Sequence, residues 1–478
     1  MPRLSDLRLE RLKKLKKIKT ARIDPYPGNS GRDTFIGDFL HAFDELAKSQ
    51  KEVSIGGRIA SIRLHGKAAF VDIQDETGKV QLFLSDNDTK NYRFFTQVID
   101  EGDIIEARGN AYLSKRGEKS LKTNETRILA KALRPLPSKW HGLKDVEERY
   151  RKRYLDLLFN QEVKERFAKT ARIIKELRFF LDDRGFLEVK TPILQPLAGG
   201  ALAKPFQTHL NALDVDLYLR IAPELYLKRL LVGGFEKIYE LGEVFRNEGI
   251  DRDHNPEFLM LELYWAYQDW EGLMKFTREW LTAVAAAIPT NDLRLTTNDW
   301  ERKEFEELFL EHTGMNYQKV SEEDMLTFGK AKKLIINRKL SKGKIADEIF
   351  KKIVRPKLLN PTFITKLPLD ISPFAKRLEN DPSRTARFVL YVNGLELVNG
   401  FSELNDPQDQ EERFKMQLEM KKKGDEEITE YDRDYIEALE YGMPPAAGLG
   451  LGVTRFIMLL TGAPSVREAM LFPLMRPK

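Results

Sequence analysis

The chain has 478 residues, no cysteine and only six histidines. The first absence excludes disulfides, zinc ribbons and thiol nucleophiles, and the second leaves little for a histidine-rich metal cluster. No apolar run approaches the ~18 residues of a membrane span; the longest are short pieces such as Leu281–Ile288. The basic N-terminus has neither a continuous apolar core nor a small-residue cleavage site, so a cytoplasmic location is expected. Chemistry in such a chain falls to carboxylates, arginines and a hard cation.

What is present reads as a soluble globular protein. Apolar residues make up 42% and charged residues 32% of a chain long enough for two or three domains. The net charge of +5 says little about nucleic acid, because local patches matter more than the total. The sharpest patch is the first twenty residues. Leu4, Leu7, Leu12, Leu15 and Ile18 recur at helical spacing, and Arg8, Arg11, Lys13, Lys14, Lys16, Lys17 and Lys19 cover most of the rest. This is a docking helix with a solvated basic face, or an arm that meets phosphates.

Residues 51–135 alternate with a period of two across five short runs, Val53–Ile62, Ala68–Asp75, Lys79–Leu84, Asp103–Tyr112 and Glu125–Ala130. Turn signals separate them, and the longer gap near Asp86–Thr96 has room for a short helix. Five such strands predict a small Greek-key barrel of the OB type. Arg134-Pro135-Leu136-Pro137 opens a stiff linker over 136–150. Beyond it, Glu165–Asp183 reads as a helix with Phe167, Ile174, Leu177, Phe180 and Leu181 on one side, stopped at Gly185. Strands are predicted at Leu217–Ile221, Lys237–Arg246, Phe258–Tyr267, Arg387–Val392 and Leu395–Phe401. Short turns between several of them favour an antiparallel sheet, which makes the chain α+β. The charge-rich helical stretch 302–357 shows no legible chemistry and reads as a surface subdomain.

Four pieces carry chemistry. Arg246 and Glu248 close an apolar strand, and Arg252, His254 and Asn255 follow in a polar loop able to clamp phosphates, with Phe258 placed to stack on a base. The next strand sets Glu262 and Tyr264 on one face. Asn399, Phe401 and Glu403 share another strand face. Glu396 has the opposite parity, so it joins them only if the chain bulges. In Gly448-Leu449-Gly450-Leu451-Gly452, alternate glycines strip one strand face of side chains, and Arg455 then falls near the start of an apolar helix. Finally, Pro223 and Glu224 suit the first turn of a helix, where a cap is the plain account of Glu224. A triphosphate clamp beside exposed carboxylates points to ATP and a cationic amino acid.

In order and spacing these pieces resemble the three signature motifs of class II aminoacyl-tRNA synthetases, most closely the lysyl-tRNA synthetases of bacterial and eukaryotic type. The resemblance extends through Ile23-Asp24-Pro25-Tyr26-Pro27, Gly185-Phe186-Leu187-Glu188-Val189, Thr191-Pro192, Ser372-Pro373 and Leu471–Pro477. It implies an anticodon-binding barrel at 51–135 after a basic extension at 1–50, and a catalytic domain at 151–478 built on a central antiparallel sheet. It implies that Arg246 bridges the amino-acid carboxylate and the ATP α-phosphate. Glu248, His254, Asn255, Phe258, Glu396 and Arg455 match ATP-contacting positions, with Phe258 and Arg455 around the adenine. Gly200 and Glu224 match positions for the α-amino group, and Asn399 one for the carboxylate. Glu262, Tyr264 and Glu403 match the ε-ammonium pocket, with Phe401 along the methylenes. Arg63, Phe70, Gln81 and Glu118 match positions that contact anticodon bases. The partners so implied are ATP, L-lysine, tRNA(Lys) and a second copy of the chain, with Mg²⁺ as cofactor. Two positions depart from the pattern. Of two acids expected to hold Mg²⁺, Glu396 matches one and the other falls on Val389; Thr454 stands where an aspartate precedes the motif arginine. These two are the only support for an alternative, an RNA-binding paralogue impaired in catalysis.

Overall fold

The computed structural model describes residues 4–137, 145–201, 203–290, 292–422 and 431–477. Of the predicted linker, 138–144 lie outside the described residues. The chain divides into two compact units, Met1–Gly142 and Leu143–Lys478.

In the first unit, β1 (Glu52–His65), β2 (Ala68–Gln74), β3 (Lys79–Ser85), β4 (Ile104–Leu113) and β5 (Lys119–Ala130) close a barrel in the order β1-β2-β3-β5-β4. This is the OB barrel that the alternation predicts. Ile55, Ile59, Val71, Ile73, Leu82 and Leu121 fill it, and the gap before β4 holds a helix, Tyr92–Val98. The N-terminal helix Leu4–Thr20 docks here. Ile18 is fully buried, and Arg11 donates to the carbonyls of Glu101 (2.9 Å), Ala132 (3.0 Å) and Arg134 (3.1 Å), pinning the helix to the turn before β4 and the segment after β5.

The second unit is built on an eight-stranded sheet. Its strands are β6 (Leu187–Glu188), β7 (Lys237–Phe245), β8 (Glu257–Ala266), β9 (Glu301–Glu304), β10 (Thr362–Thr365), β11 (Arg387–Val392), β12 (Leu395–Ser402) and β13 (Ala446–Leu451), in the order β9-β10-β11-β12-β13-β8-β7-β6. The sheet is antiparallel through its centre, and only the two edge pairs, β6/β7 and β9/β10, are parallel. The predicted strand Leu217–Ile221 forms instead as Val215–Leu219, in a separate three-stranded sheet.

Strand parity divides the sheet into two faces. Leu261, Leu263, Ala447, Leu449 and Leu451 pack against helices Gln161–Asp183, Trp270–Ala287 and Val453–Thr461 around Trp280. In the first of these helices Ile173, not Ile174, is the fully buried position. Residues of the other parity on β8 and β13 (Met260, Glu262, Tyr264, Gly448 and Gly450) line a cleft on the opposite face.

Candidate active site

Three neighbouring strands form the floor of the cleft. Across β8, β13 and β12, Glu262 faces Gly450 and Gly450 faces Asn399; one step along, Tyr264 faces Gly448 and Gly448 faces Phe401. The glycines make a trough between two rows of functional side chains. A Cβ at Gly448 would lie 2.5 Å from the Tyr264 ring, and one at Gly450 would lie 2.6 Å from the Met260 methyl. The parity conflict of Glu396 is resolved by a bulge. On β12, Val398 pairs with Leu390 but Glu396 pairs with Tyr391, so Leu397 is the extra residue and Glu396 lines the same cleft as Asn399.

The cleft, of about 1170 Å³, is electrostatically divided. At one end are three buried carboxylates, Glu224, Glu262 and Glu403. The Tyr264 hydroxyl donates to Glu262 at 3.0 Å. Burial, with the Glu224 charge adding to it and Lys228 opposing, pushes the carboxyls of Glu262 and Glu403 up to about 8. Burial also raises Glu224, although Lys228 opposes it. Glu224 is not a cap: it sits in the first turn of helix Glu224–Val232 with its carboxylate 2.5 Å from the Lys228 ammonium. Lys228 also meets Glu403 at 2.5 Å. One internal ammonium serves three acids, so Glu262 and Glu403 stay protonated near neutral pH in the empty pocket, and each must find a cation when it ionises, because buried unpaired charge costs several kcal/mol. The pocket is therefore made for a ligand bearing positive charge.

The other end is cationic. Arg246 lies with its guanidinium 5.2 Å from the Phe258 ring, and its Nε donates weakly to the Ile221 carbonyl at 3.4 Å. Arg455 donates to the carbonyls of Asp253 and Glu396, both at 3.1 Å. Burial pushes Glu396 up, but Arg455, Lys351, Arg387 and Arg355 together outweigh burial and hold the carboxyl below its usual range. An ionised acid and two guanidinium groups beside an aromatic ring suit a nucleotide triphosphate.

This pairing of a nucleotide clamp with an acidic pocket across one antiparallel sheet agrees with the comparisons to known proteins. The family described as tRNA synthetases class II (D, K and N) matches residues 145–476, and OB-fold nucleic acid binding domain matches residues 53–129. The chain belongs to the class II aminoacyl-tRNA synthetases. It is 48% identical to the lysine–tRNA ligase of Carboxydothermus hydrogenoformans, with 99% of each chain covered. It is 48% identical to that of Moorella thermoacetica (99% and 98% covered) and 46% identical to that of Roseiflexus sp. (99% of each).

Within this synthetase cleft Gly200, Glu224, Arg246, Glu248, His254, Asn255, Phe258, Glu262, Tyr264, Glu396, Asn399, Phe401 and Arg455 all line the same space. Gly200 has φ +85°, and a Cβ there would come 2.8 Å from that of Glu224. His254 is held by Asp251 at 2.8 Å, and Asn255 is buried, donating to the Glu257 carbonyl at 2.7 Å. Glu403 is not among the lining residues, but its Oε1 lies where a Cβ on Gly448 would stand. Arg252 is not brought in: its side chain is 63% exposed and stands outside the cleft. Thr454 accepts a hydrogen bond from the Leu259 amide at 2.9 Å, tying the last helix to β8 while backbone carbonyls orient Arg455.

Sequence reasoning missed one whole wall. The 302–357 stretch is not a mere surface subdomain, because Lys344, Asp347, Glu348, Lys351, Lys352 and Arg355 line the cleft. Arg355 pairs with Asp253 of the polar loop at 3.0 Å, and Lys351 with Asp347 at 2.8 Å. Arg387 was also missed. Its guanidinium holds Asn399 at 2.9 Å and Ser372 at 2.9 Å. A run of lysines on an amphipathic helix gives no sign of which charge will face a cavity.

The metal reading can be tested on the donors. Val389 is buried in an apolar cluster with Ile345, Ile364 and Tyr391, and it supplies no ligand. Among the described residues no three His, Asp or Glu converge on one point. Glu396 offers one ionised carboxylate, and Asp347 and Glu348 line the same cleft, a donor set that would suit Mg²⁺ brought with ATP.

On the barrel, Phe70 is half-buried and stands outside the core cluster. It begins an aromatic track, 5.4 Å from Phe83, which in turn stacks on Tyr112 at 5.7 Å. Arg63 pairs with Asp72 at 3.1 Å, and Gln81 donates to Glu118 at 2.9 Å.

Proposed function

We propose that the chain joins L-lysine to the 3′ end of tRNA(Lys) in two steps at this cleft. The observation that carries the reading is the pocket of Glu224, Glu262 and Glu403 at one end of a trough whose other end holds Arg246 and Arg455. The two ammonium groups of lysine suit a pocket whose acids outnumber its one internal ammonium, and they would pair with carboxylates that ionise as lysine binds. An isostere without the ε-ammonium leaves Glu262 and the Oε1 side of Glu403 without a cation, which is a strong basis for rejection. An acidic side chain is repelled outright.

In the first step a lysine carboxylate oxygen attacks the α-phosphate of ATP, and the bond from phosphorus to the bridging oxygen breaks, giving lysyl-adenylate and pyrophosphate. The nucleophile is already ionised at neutral pH, so no general base is needed. The work of the protein is alignment and charge neutralisation, with Arg246 reaching both carboxylate and phosphate and Arg455 closing over the adenine opposite Phe258. Glu396 is the residue that would hold a Mg²⁺ brought with ATP, which would supply further charge neutralisation at the phosphates. In the second step a terminal ribose hydroxyl of tRNA attacks the lysyl carbonyl and AMP leaves. The aromatic track with Phe70, beside Arg63, Gln81 and Glu118, suits splayed anticodon bases. The exposed Phe179, Leu187, Ile193 and Leu194, next to the two-residue edge strand β6, suit a homodimer interface. A cytoplasmic enzyme fits the chain, and no described helix is long and apolar enough to cross a membrane.

ATP–pyrophosphate exchange measured with each amino acid in turn tests the reading. Lysine alone is expected to support exchange; aspartate- or asparagine-dependent exchange, or none with any amino acid at ample Mg²⁺, overturns it.

A further inference from the structure

Lys228 has no place in the two-step chemistry, yet it is a fully buried ammonium at the centre of the acidic pocket. It projects inward from helix Glu224–Val232, with Nζ 2.5 Å from Glu224 Oε1 and 2.5 Å from Glu403 Oε2. Its side chain has no exposure to water. The rings of Phe374, Phe401 and Tyr264 surround the charge at 5.0, 5.4 and 6.0 Å. The partner Glu403 is used asymmetrically. Its Oε2 is the oxygen in ion-pair distance of Lys228, while Oε1 lies against the bare floor at Gly448, where a Cβ would run into it, and neither oxygen has a hydrogen-bond partner among the described residues.

We propose that Lys228 is a positioning residue that sets substrate length: by bridging Glu224 and Glu403, it fixes the separation of the α-amino and ε-ammonium acceptors and leaves Glu403 Oε1 bare for the incoming amine. The inference rests on the lysine-activating reading above. One carboxylate at each end of the substrate is tied to the same ammonium, so neither can shift toward a shorter diamine without breaking an ion pair. The bridge also lowers the pH at which Glu403 ionises. The groups that bear on it are Glu224 and Lys228 on one helix, Glu262 and Tyr264 on β8, and Tyr435 on helix Arg433–Glu440. Of these only Lys228 lowers Glu403, against burial and Glu224. Removing it moves the carboxyl further up, so the pocket reaches its binding form at higher pH.

The test compares wild type, Lys228→Met and Lys228→Arg in ATP–pyrophosphate exchange with lysine and with ornithine, one methylene shorter. In Lys228→Met, KM for lysine is expected to rise at least tenfold and the lysine-over-ornithine preference to shrink by a similar factor. KM for ATP should stay within twofold. The acid limb of kcat/KM for lysine should move about one unit toward alkaline pH, and Lys228→Arg, which keeps the charge, should restore that limb while the preference stays reduced. Equal losses for ATP and lysine, with an unmoved limb and preference, overturn the proposal and leave Lys228 as packing alone. If Lys228→Met does not fold, Lys228→Arg decides, and an unchanged lysine-over-ornithine preference rejects the bridge as a measure of length. Lysine-dependent exchange by wild type shows that such a failure belongs to this inference and not to the activity.

Discussion

At the scale of single residues the acidic pocket dominates, and its titration couples stability to pH. Glu262 and Glu403 hold their protons up to about pH 8 in the folded chain, whereas an unfolded glutamate ionises near its ordinary value of about 4.3. Between those limits the folded state binds more protons than the unfolded state, so stability falls as pH rises through that window and levels off above it. Lysine supplies the missing cations and opposes the loss. The melting temperature of the free protein is therefore expected to drop from pH 5.5 to 8.5, and the increment given by saturating lysine to grow over the same range. A lysine increment that shrinks with pH would show that these carboxyls are not the groups that bind it.

At the scale of elements, the alternation of Glu262 with Leu263 and of Gly448 with Leu449 places one face in the core and the other in the cleft. The glycines of β13 differ in what surrounds them. Alanine at 448 must push against Glu403 Oε1 and the Tyr264 ring, held by Glu262, whereas alanine at 450 crowds the flexible end of Met260 and meets Glu262 at ordinary contact distance. Overpacking of this kind costs ~1–3 kcal/mol where nothing can yield. Gly448→Ala is thus expected to raise KM for lysine by roughly ten- to 100-fold, and Gly450→Ala by less than about fivefold, in exchange assays at fixed ATP. The reverse order would mean that the trough is not where lysine lies. Local sequence made these strands legible because parity is a local property. It did not reveal the cleft wall at 344–355, since Lys351 and Arg355 read like any solvated helix charge until Asp347 and Asp253 are seen beside them. The bulge at Leu397 is similar: the sequence posed the parity conflict of Glu396, and only the register of β12 against β11 resolves it. Lys228 was illegible for a related reason. Four residues after Glu224 it looks like a surface helix pair, and its burial comes from Phe374 and Phe401 in distant segments.

At the scale of the whole molecule, two compact units divide the labour, and their contributions separate experimentally. Arg246→Ala is expected to lower lysine-dependent exchange by roughly 10²–10³-fold, the loss typical of one donor to a developing charge, while leaving tRNA affinity within twofold. Phe70→Ala should do the opposite, sparing exchange and weakening tRNA charging by about tenfold, since one stacked base contributes ~1–3 kcal/mol. Equal losses for Phe70→Ala in both assays would assign that ring to packing.

The most direct measurement on the acidic pocket is calorimetry of L-lysine binding at pH 7, repeated in buffers of different ionisation enthalpy to count protons. A carboxyl that titrates near 8 when empty must give up its proton to receive an ammonium. Net proton release of about one or more per lysine, with norleucine failing to bind, is the expected result. Binding of lysine without proton release, or of norleucine equally well, would contradict a pocket in which Glu262 and Glu403 grip the ε-ammonium.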